Sequence, residues 1–265
     1  MRVQPYRFAS LDSAGVPHGV TRRDASLPAD GAIGWNVGVD VARRNRVVWW
    51  RRLGLPLAFS VFARQVHGAA ISVVTAADRG RGACVPETAL PDTDALVTTE
   101  PGVPVVVQCA DCVPLLLYAA DLPAVGAVHA GWRGTTLLVA LRTIDLLVRQ
   151  FGASPVALRV AIGPSIGPCC YEVGDDVVER WRHAVGTIGE RAIVRRNGRM
   201  HFDLWEANRM LVLEAGVPPH NIELAGRCTR CRPREWFSYR ADGPRTGMQA
   251  AVIALPPERS ETEYR

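Results

Sequence analysis

The chain reads as an α+β protein with mixed sheets. Its middle, from Ala95 to His129, is dense in β-branched residues and leucine, a composition that suits strands buried on both faces. Helix signals are interspersed around that block, the clearest of them just after Gly134. No regular strand–helix alternation accompanies them, so a parallel doubly wound sheet is not indicated.

In chain order, residues 38 to 53 mix apolar and basic positions as a surface helix does. Ala58 to Val74 reads as two strands around Gln65-Val66-His67-Gly68. Residues 76 to 93 hold glycine, proline and charge without periodicity and read as a loop. Four apolar strands follow, at 95–99, 103–108, 113–118 and 125–129. Behind Gly134, Leu137, Leu141, Ile144, Val148 and Phe151 recur at helical spacing, and Gly152 stops that helix. Another helix opens near Asp175 and includes Trp181. Asn197-Gly198 is a hairpin turn. Asp203 with Glu206 makes a capping box for a helix that ends at Gly216. The last strand is Gln249 to Leu255, and 256 to 265 is expected to be a frayed tail.

Composition narrows the function classes. At 265 residues with 48% hydrophobic and 22% charged content, the chain can bury a substantial core. Lysine is absent and all 31 basic residues are arginine, which removes Schiff-base and P-loop lysine chemistry. The net charge of +5 comes from scattered arginine pairs with no nucleic-acid motif beside them. No apolar run approaches the roughly 18 to 20 residues of a membrane span, and the N-terminus lacks the apolar core of a signal peptide. Seven cysteines, an odd number, suit a reducing compartment and so the cytoplasm.

The chemistry concentrates in three segments. His129 ends an apolar strand ahead of Gly131, Arg133 and Gly134; a helix start there would offer free N–H groups to an anion. Cys112 follows Asp111 after another apolar strand. His67 lies beside Gly68. Two imidazoles and a thiolate could make an open zinc site or a Cys/His catalytic pair, and spacing alone does not choose between them. Each also has a plainer reading, as a structural histidine or a small buried hydrophobe. Cys109/Cys112 and Cys228/Cys231 are both C-x-x-C pairs, but they lie far apart and a closed four-thiolate site between them is disfavoured. The adjacent Cys169 and Cys170 look unsuited to ligating one ion together; with Tyr171 they read as a rigid loop near a pocket.

Taken in order, the segments resemble one family. They are Arg64-Gln65-Val66-His67-Gly68, Asp94-Ala95-Leu96-Val97-Thr98, Ala110-Asp111-Cys112-Val113-Pro114 and His129-Ala130-Gly131-Trp132-Arg133-Gly134, followed by Ile162-Gly163-Pro164-Ser165-Ile166-Gly167, Cys170-Tyr171-Glu172-Val173-Gly174 and Phe237-Ser238-Tyr239-Arg240. The set resembles the YfiH-like family, long labelled laccase domain or polyphenol oxidase. The resemblance implies one domain over residues 1–255, with sandwiched mixed sheets flanked by helices, like the deamidase domain of cytotoxic necrotizing factor. It implies Zn2+ on His67, Cys112 and His129, which would also be the catalytic residues. The implied activity is that of a purine nucleoside phosphorylase on adenosine, inosine, guanosine and methylthioadenosine, with inorganic phosphate as co-substrate and adenosine deaminase as a second activity. Partners would be nucleoside and phosphate, with no nucleic acid and no membrane. Arg64, Arg133 and Tyr171 are candidates for substrate or phosphate, and Asp111 for orienting a ligand. Met248 and Ala241 depart from the family's usual arginines.

Copper oxidase chemistry fails on the imidazole count. A trinuclear cluster with a blue-copper site needs paired histidines; this chain has six histidines and no His-x-His. Two rivals share the expected site: a cytoplasmic amidase that edits peptidoglycan precursors, and a zinc-bearing binding protein without turnover.

Overall fold

Side chains alternate across a strand, and in the central strands both faces are apolar. Val105 and Val107 enter one core while Val106 enters another; Ala95 and Val97 face away from Leu96 in the same way. Strands buried on both sides must have a layer on each face. The computed structural model, which describes residues 2–257, has that arrangement.

The strands are β1 (His18–Val20), β2 (Val61–Phe62), β3 (Ile71–Val73), β4 (Ala95–Thr98), β5 (Val105–Cys109), β6 (Val113–Ala119), β7 (Ala124–Ala130), β8 (Leu158–Ile162), β9 (Ile193–Arg196), β10 (Arg199–Phe202), β11 (Ile222–Leu224) and β12 (Gln249–Ile253). The helices are α1 (Ala9–Asp12), α2 (Val39–Leu53), α3 (Trp132–Thr136), α4 (Val139–Phe151), α5 (Asp175–Val185), α6 (Leu204–Glu214) and α7 (Tyr239–Asp242). One sheet runs β1-β12-β5-β2 and the other β11-β8-β6-β7-β4-β3, both mixing parallel and antiparallel pairs. Val105, Val107, Ala251 and Ile253 from the first meet Leu96, Leu116, Val125 and Ala127 from the second to form the sandwich core. Outside the first sheet, α2 lays Trp49 and Trp50 against Val106 and Val252. Outside the second, α4 and α6 bring Ile144, Leu147 and Leu211 onto Leu115, Leu117 and Val160. The α+β class with sandwiched mixed sheets is the one expected.

Local differences have local causes. The helix expected behind Gly134 is two helices, because Leu138 takes a left-handed backbone (φ 62°) between α3 and α4. That conformation costs a bulky residue on the order of 1 kcal/mol. It lets Gly134 stay packed on the Gly68 carbonyl while α4 lies along the sheet. Leu137 is therefore left exposed, and the buried stripe is Val139, Ala140, Thr143, Ile144 and Leu147. Strands β1, β8 and β11 carry no expectation from the sequence, being short and lacking a long apolar run. Asn197 and Gly198 both have positive φ, as a two-residue hairpin requires. Asp203 caps α6 by accepting from the Trp205 and Glu206 N–H groups, whereas the Glu206 carboxylate bonds Arg209. The tail expected at 256–265 lies outside the described residues from 258 onward. Among the described residues no helix is long and apolar enough to cross a membrane.

This topology brings separate segments to one sheet edge. β6 begins where its antiparallel neighbour β7 ends, with Pro114 opposite His129. β4 also begins there, antiparallel to β7, and β3 begins beside β4. Residues just before β3, β4 and β6 thus meet the end of β7.

Candidate metal centre

His67, Cys112 and His129 are three such residues, and their ligand atoms all lie within 4.8 Å of one another. The two imidazoles meet edge to face, 4.9 Å between centroids. His129 is buried, Cys112 is half-buried and His67 is exposed, so the cluster has a closed back and an open mouth.

A fourth residue sets their geometry. Asp94, fully buried just ahead of β4, accepts from His129 Nδ1 at 2.8 Å. It also accepts the backbone N–H groups of Val66 (3.2 Å), His67 (3.0 Å) and Gly68 (2.7 Å). Those bonds hold His67 in a left-handed backbone, φ 61°. Because a carboxylate only accepts, the His129 proton sits on Nδ1 and Nε2 is left for the cluster. Gly131 supplies the clearance: a Cβ there would stand 2.8 Å from Cys112 Sγ and 3.2 Å from the His67 ring.

The electrostatics make these groups good donors. Burial pushes the Asp94 carboxyl up, but hydrogen bonds from His129 and Gly68 outweigh it and the net shift is downward. Burial likewise raises the Cys112 thiol, yet the adjacent His129 and His67 bring it below the ordinary thiol value. His129 shifts upward, because the charge of Cys112 and the bond from Asp94 overcome burial. Two imidazoles and a thiolate, with one side open, fit a divalent transition metal that keeps a coordination position for a reactant.

The other expected residues are placed less uniformly. Tyr171 stands close enough for Cys112 to affect it: burial first, and then that negative charge, hold its phenol protonated against the pull of Arg240 and Arg133. Arg240 stacks on the Tyr171 ring at 5.0 Å and Arg133 on Trp132 at 4.7 Å. The anion cradle expected behind Gly131 rests on the five-residue α3 rather than on a long helix. Arg64 is paired with Asp92 on the surface. Asp111, at φ 90°, does not touch a ligand; its carboxylate accepts from Thr229 Oγ1 and from the Arg240 N–H, both at 2.6 Å. It is the Asp94 carboxylate, rather than that of Asp111, that hydrogen-bonds an imidazole of the cluster. A carboxylate immediately before an apolar strand, with Gly68 upstream to approach it, is the signal that could have pointed there.

The cysteines also sort differently from their sequence pairing. Cys109 is buried at the end of β5 and is not part of the cluster. Cys228 and Cys231 gather with Cys169 and Cys170, all four sulfurs within 4.8 Å. Adjacent cysteines do converge here, contrary to expectation, because they sit in a tight turn in which the Cys170 and Tyr171 N–H groups both bond the Gly167 carbonyl.

Comparison with known proteins agrees with this fold. Residues 29–256 match the family model described as multi-copper polyphenol oxidoreductase laccase. A purine nucleoside phosphorylase named YlmD, from Geobacillus stearothermophilus, is 42% identical over 228 residues, covering 83% of this chain and 82% of the relative. A protein named adenosine deaminase RL5, from an unknown prokaryotic organism, is 39% identical over 216 residues, 80% of this chain and 81% of its own. The crystal structure of YlmD from Geobacillus stearothermophilus superposes with a TM-score of 0.89 at 36% identity, covering 96% of this chain and 98% of that one. With that match spanning residues 29–256, the chain belongs to the family described as multi-copper polyphenol oxidoreductase laccase.

Proposed function

We propose that this chain is a zinc-dependent purine nucleoside phosphorylase that also deaminates adenosine. The convergence of His67, Cys112 and His129 on one open-sided cluster carries the reading, and the names of its relatives support the substrate class. The copper in the family's description finds little support in the donor set: the cluster holds two of the six histidines.

Zinc on these three ligands would supply a Lewis acid that polarises an oxygen at the open position. The protein's own part is positional. Asp94 fixes the tautomer of His129 and the backbone of His67, so both imidazoles point at the cluster without rearrangement. In phosphorolysis a phosphate oxygen bonds the ribose anomeric carbon as the glycosidic C–N bond breaks, giving ribose 1-phosphate and free base. Arg133 and Arg240, stacked on Trp132 and Tyr171, are the proposed phosphate partners; Arg64 already has Asp92. The protonated Tyr171 phenol is a hydrogen-bond donor for the departing base. The seven cysteines fit a reducing compartment, and the cytoplasm is the proposed location.

Incubating the metal-loaded protein with adenosine, with and without phosphate, tests this. Adenine and ribose 1-phosphate should form only with phosphate, and inosine and ammonia without it. Release of neither adenine nor inosine would overturn the proposal, and release of an amino acid from a muropeptide instead would identify the amidase.

A further inference from the structure

We infer that Cys169, Cys170, Cys228 and Cys231 form a second metal centre, a four-thiolate site for a thiophilic divalent ion, zinc above all. It is independent of the reading proposed for the first cluster.

The sulfurs form a cluster rather than two pairs. All four lie within 4.8 Å of one another, and Cys231 Sγ is 3.5 Å from that of Cys169 and 3.4 Å from that of Cys170. A tetrahedral ion with metal–sulfur bonds of about 2.3 Å sets its ligands about 3.8 Å apart, close to what the chain presents. A disulfide needs about 2.05 Å, and Cys231, nearly equidistant from two neighbours, has no single partner for one.

The backbone builds the shell from two parallel segments. β8 and β11 run side by side, and their pairing continues past the strands: the Ser165 N–H bonds the Arg227 carbonyl at 3.2 Å and the Thr229 N–H bonds the Ser165 carbonyl at 3.0 Å. One segment turns at Gly167 to deliver Cys169 and Cys170; the other delivers a C-x-x-C. Cys228 Sγ accepts the Gly167 N–H at 3.3 Å, the kind of bond that steadies a thiolate ligand. The Arg230 guanidinium stands against Cys170 and offsets part of the negative charge of four thiolates. Cys169 and Cys231 are exposed, which gives an ion a way in. On binding, the thiols release their protons to solvent and the sulfurs keep their electron pairs for the metal, so no oxidant is involved.

The site would brace the wall of the first cluster. Tyr171 follows Cys170 directly, and Thr229, inside the C-x-x-C, donates to Asp111 beside Cys112.

The test uses full-length protein purified with reductant, then metal analysis and Co2+ substitution. Wild type should hold about two ions per chain, while Cys112→Ala, which removes the first site, should hold about one. Cobalt in Cys112→Ala should show the strong thiolate-to-metal charge transfer of a four-sulfur tetrahedron. Adding the exposed-site change Cys231→Ser to that variant should abolish both ion and spectrum. The inference is overturned if Cys112→Ala binds no Zn2+ or Co2+, if Cys231→Ser leaves the stoichiometry unchanged, or if the reductant-purified chain carries a disulfide among these cysteines.

Discussion

Asp94 Oδ1 receives the His129 imidazole at 2.8 Å and the His67 backbone N–H at 3.0 Å, so one buried carboxylate orients both histidines of the candidate centre. Replacing it by asparagine turns Oδ2 into a donor facing the N–H groups of Val66 and Gly68. Asp94→Asn is expected to weaken metal binding by about 10- to 100-fold. Competition against a chromophoric chelator measures this, and unchanged affinity would show that the histidines need no such support.

Gly131 has an ordinary extended backbone, φ −74° and ψ 178°, which alanine adopts without strain. The obstacle is space, because its Cβ would press on Cys112 Sγ and the His67 ring. Gly131→Ala should therefore lose most of its metal and activity while its urea midpoint stays near wild type. A variant that keeps full metal content would show that the cluster can relax.

The α+β class with mixed sheets was legible in the residues themselves, whereas the helix-flanked sandwich was expected only from the family resemblance. Ala95 to His129 is apolar on both faces of each strand, and such strands need cover on both sides. The break at Leu138 was not legible, since the apolar period runs through it and only the packing of Gly134 on Gly68 imposes it. At the site, His67, Cys112 and His129 were visible as donors next to glycine or strand ends. Asp94 was passed over despite its place just before an apolar strand, because its contact with His129 depends on β4 starting beside the end of β7. The cysteine clustering was misread for the same reason: it depends on the parallel pairing of β8 and β11.

Arg46 is fully buried with no carboxylate partner among the described residues. Its guanidinium lies 3.7 Å from the Trp35 ring centroid and 4.1 Å from that of Phe62, and donates to the carbonyls of Ile33, Gly82 and Ala83. Arg46→Met would leave three buried carbonyls unpaired and should cost about 3 kcal/mol or more. Arg46→Lys cannot reproduce the planar fork and should also destabilise. Urea unfolding decides this; an unchanged midpoint in either variant would refute the structural role.

His18, fully buried, donates from Nδ1 to the Val16 carbonyl and accepts the Phe8 N–H at Nε2. Protonation would set N–H against N–H, and burial lowers its pKa below the ordinary 6.5. The unfolded chain binds this proton more readily, so the contribution is fully present above pH 6.5 and is lost as pH falls from there toward the folded value. Wild-type stability should drop over that window, and His18→Ala should show a shallower drop. Parallel pH profiles would exclude His18 as the source.

Crystals of zinc-loaded protein, measured on both sides of the zinc absorption edge, test the central claim most directly. An anomalous peak is expected about 2.0–2.1 Å from one nitrogen each of His67 and His129 and about 2.3 Å from Cys112 Sγ, with no fourth protein ligand. No peak among these three side chains, or a shell closed by a fourth residue, would contradict it.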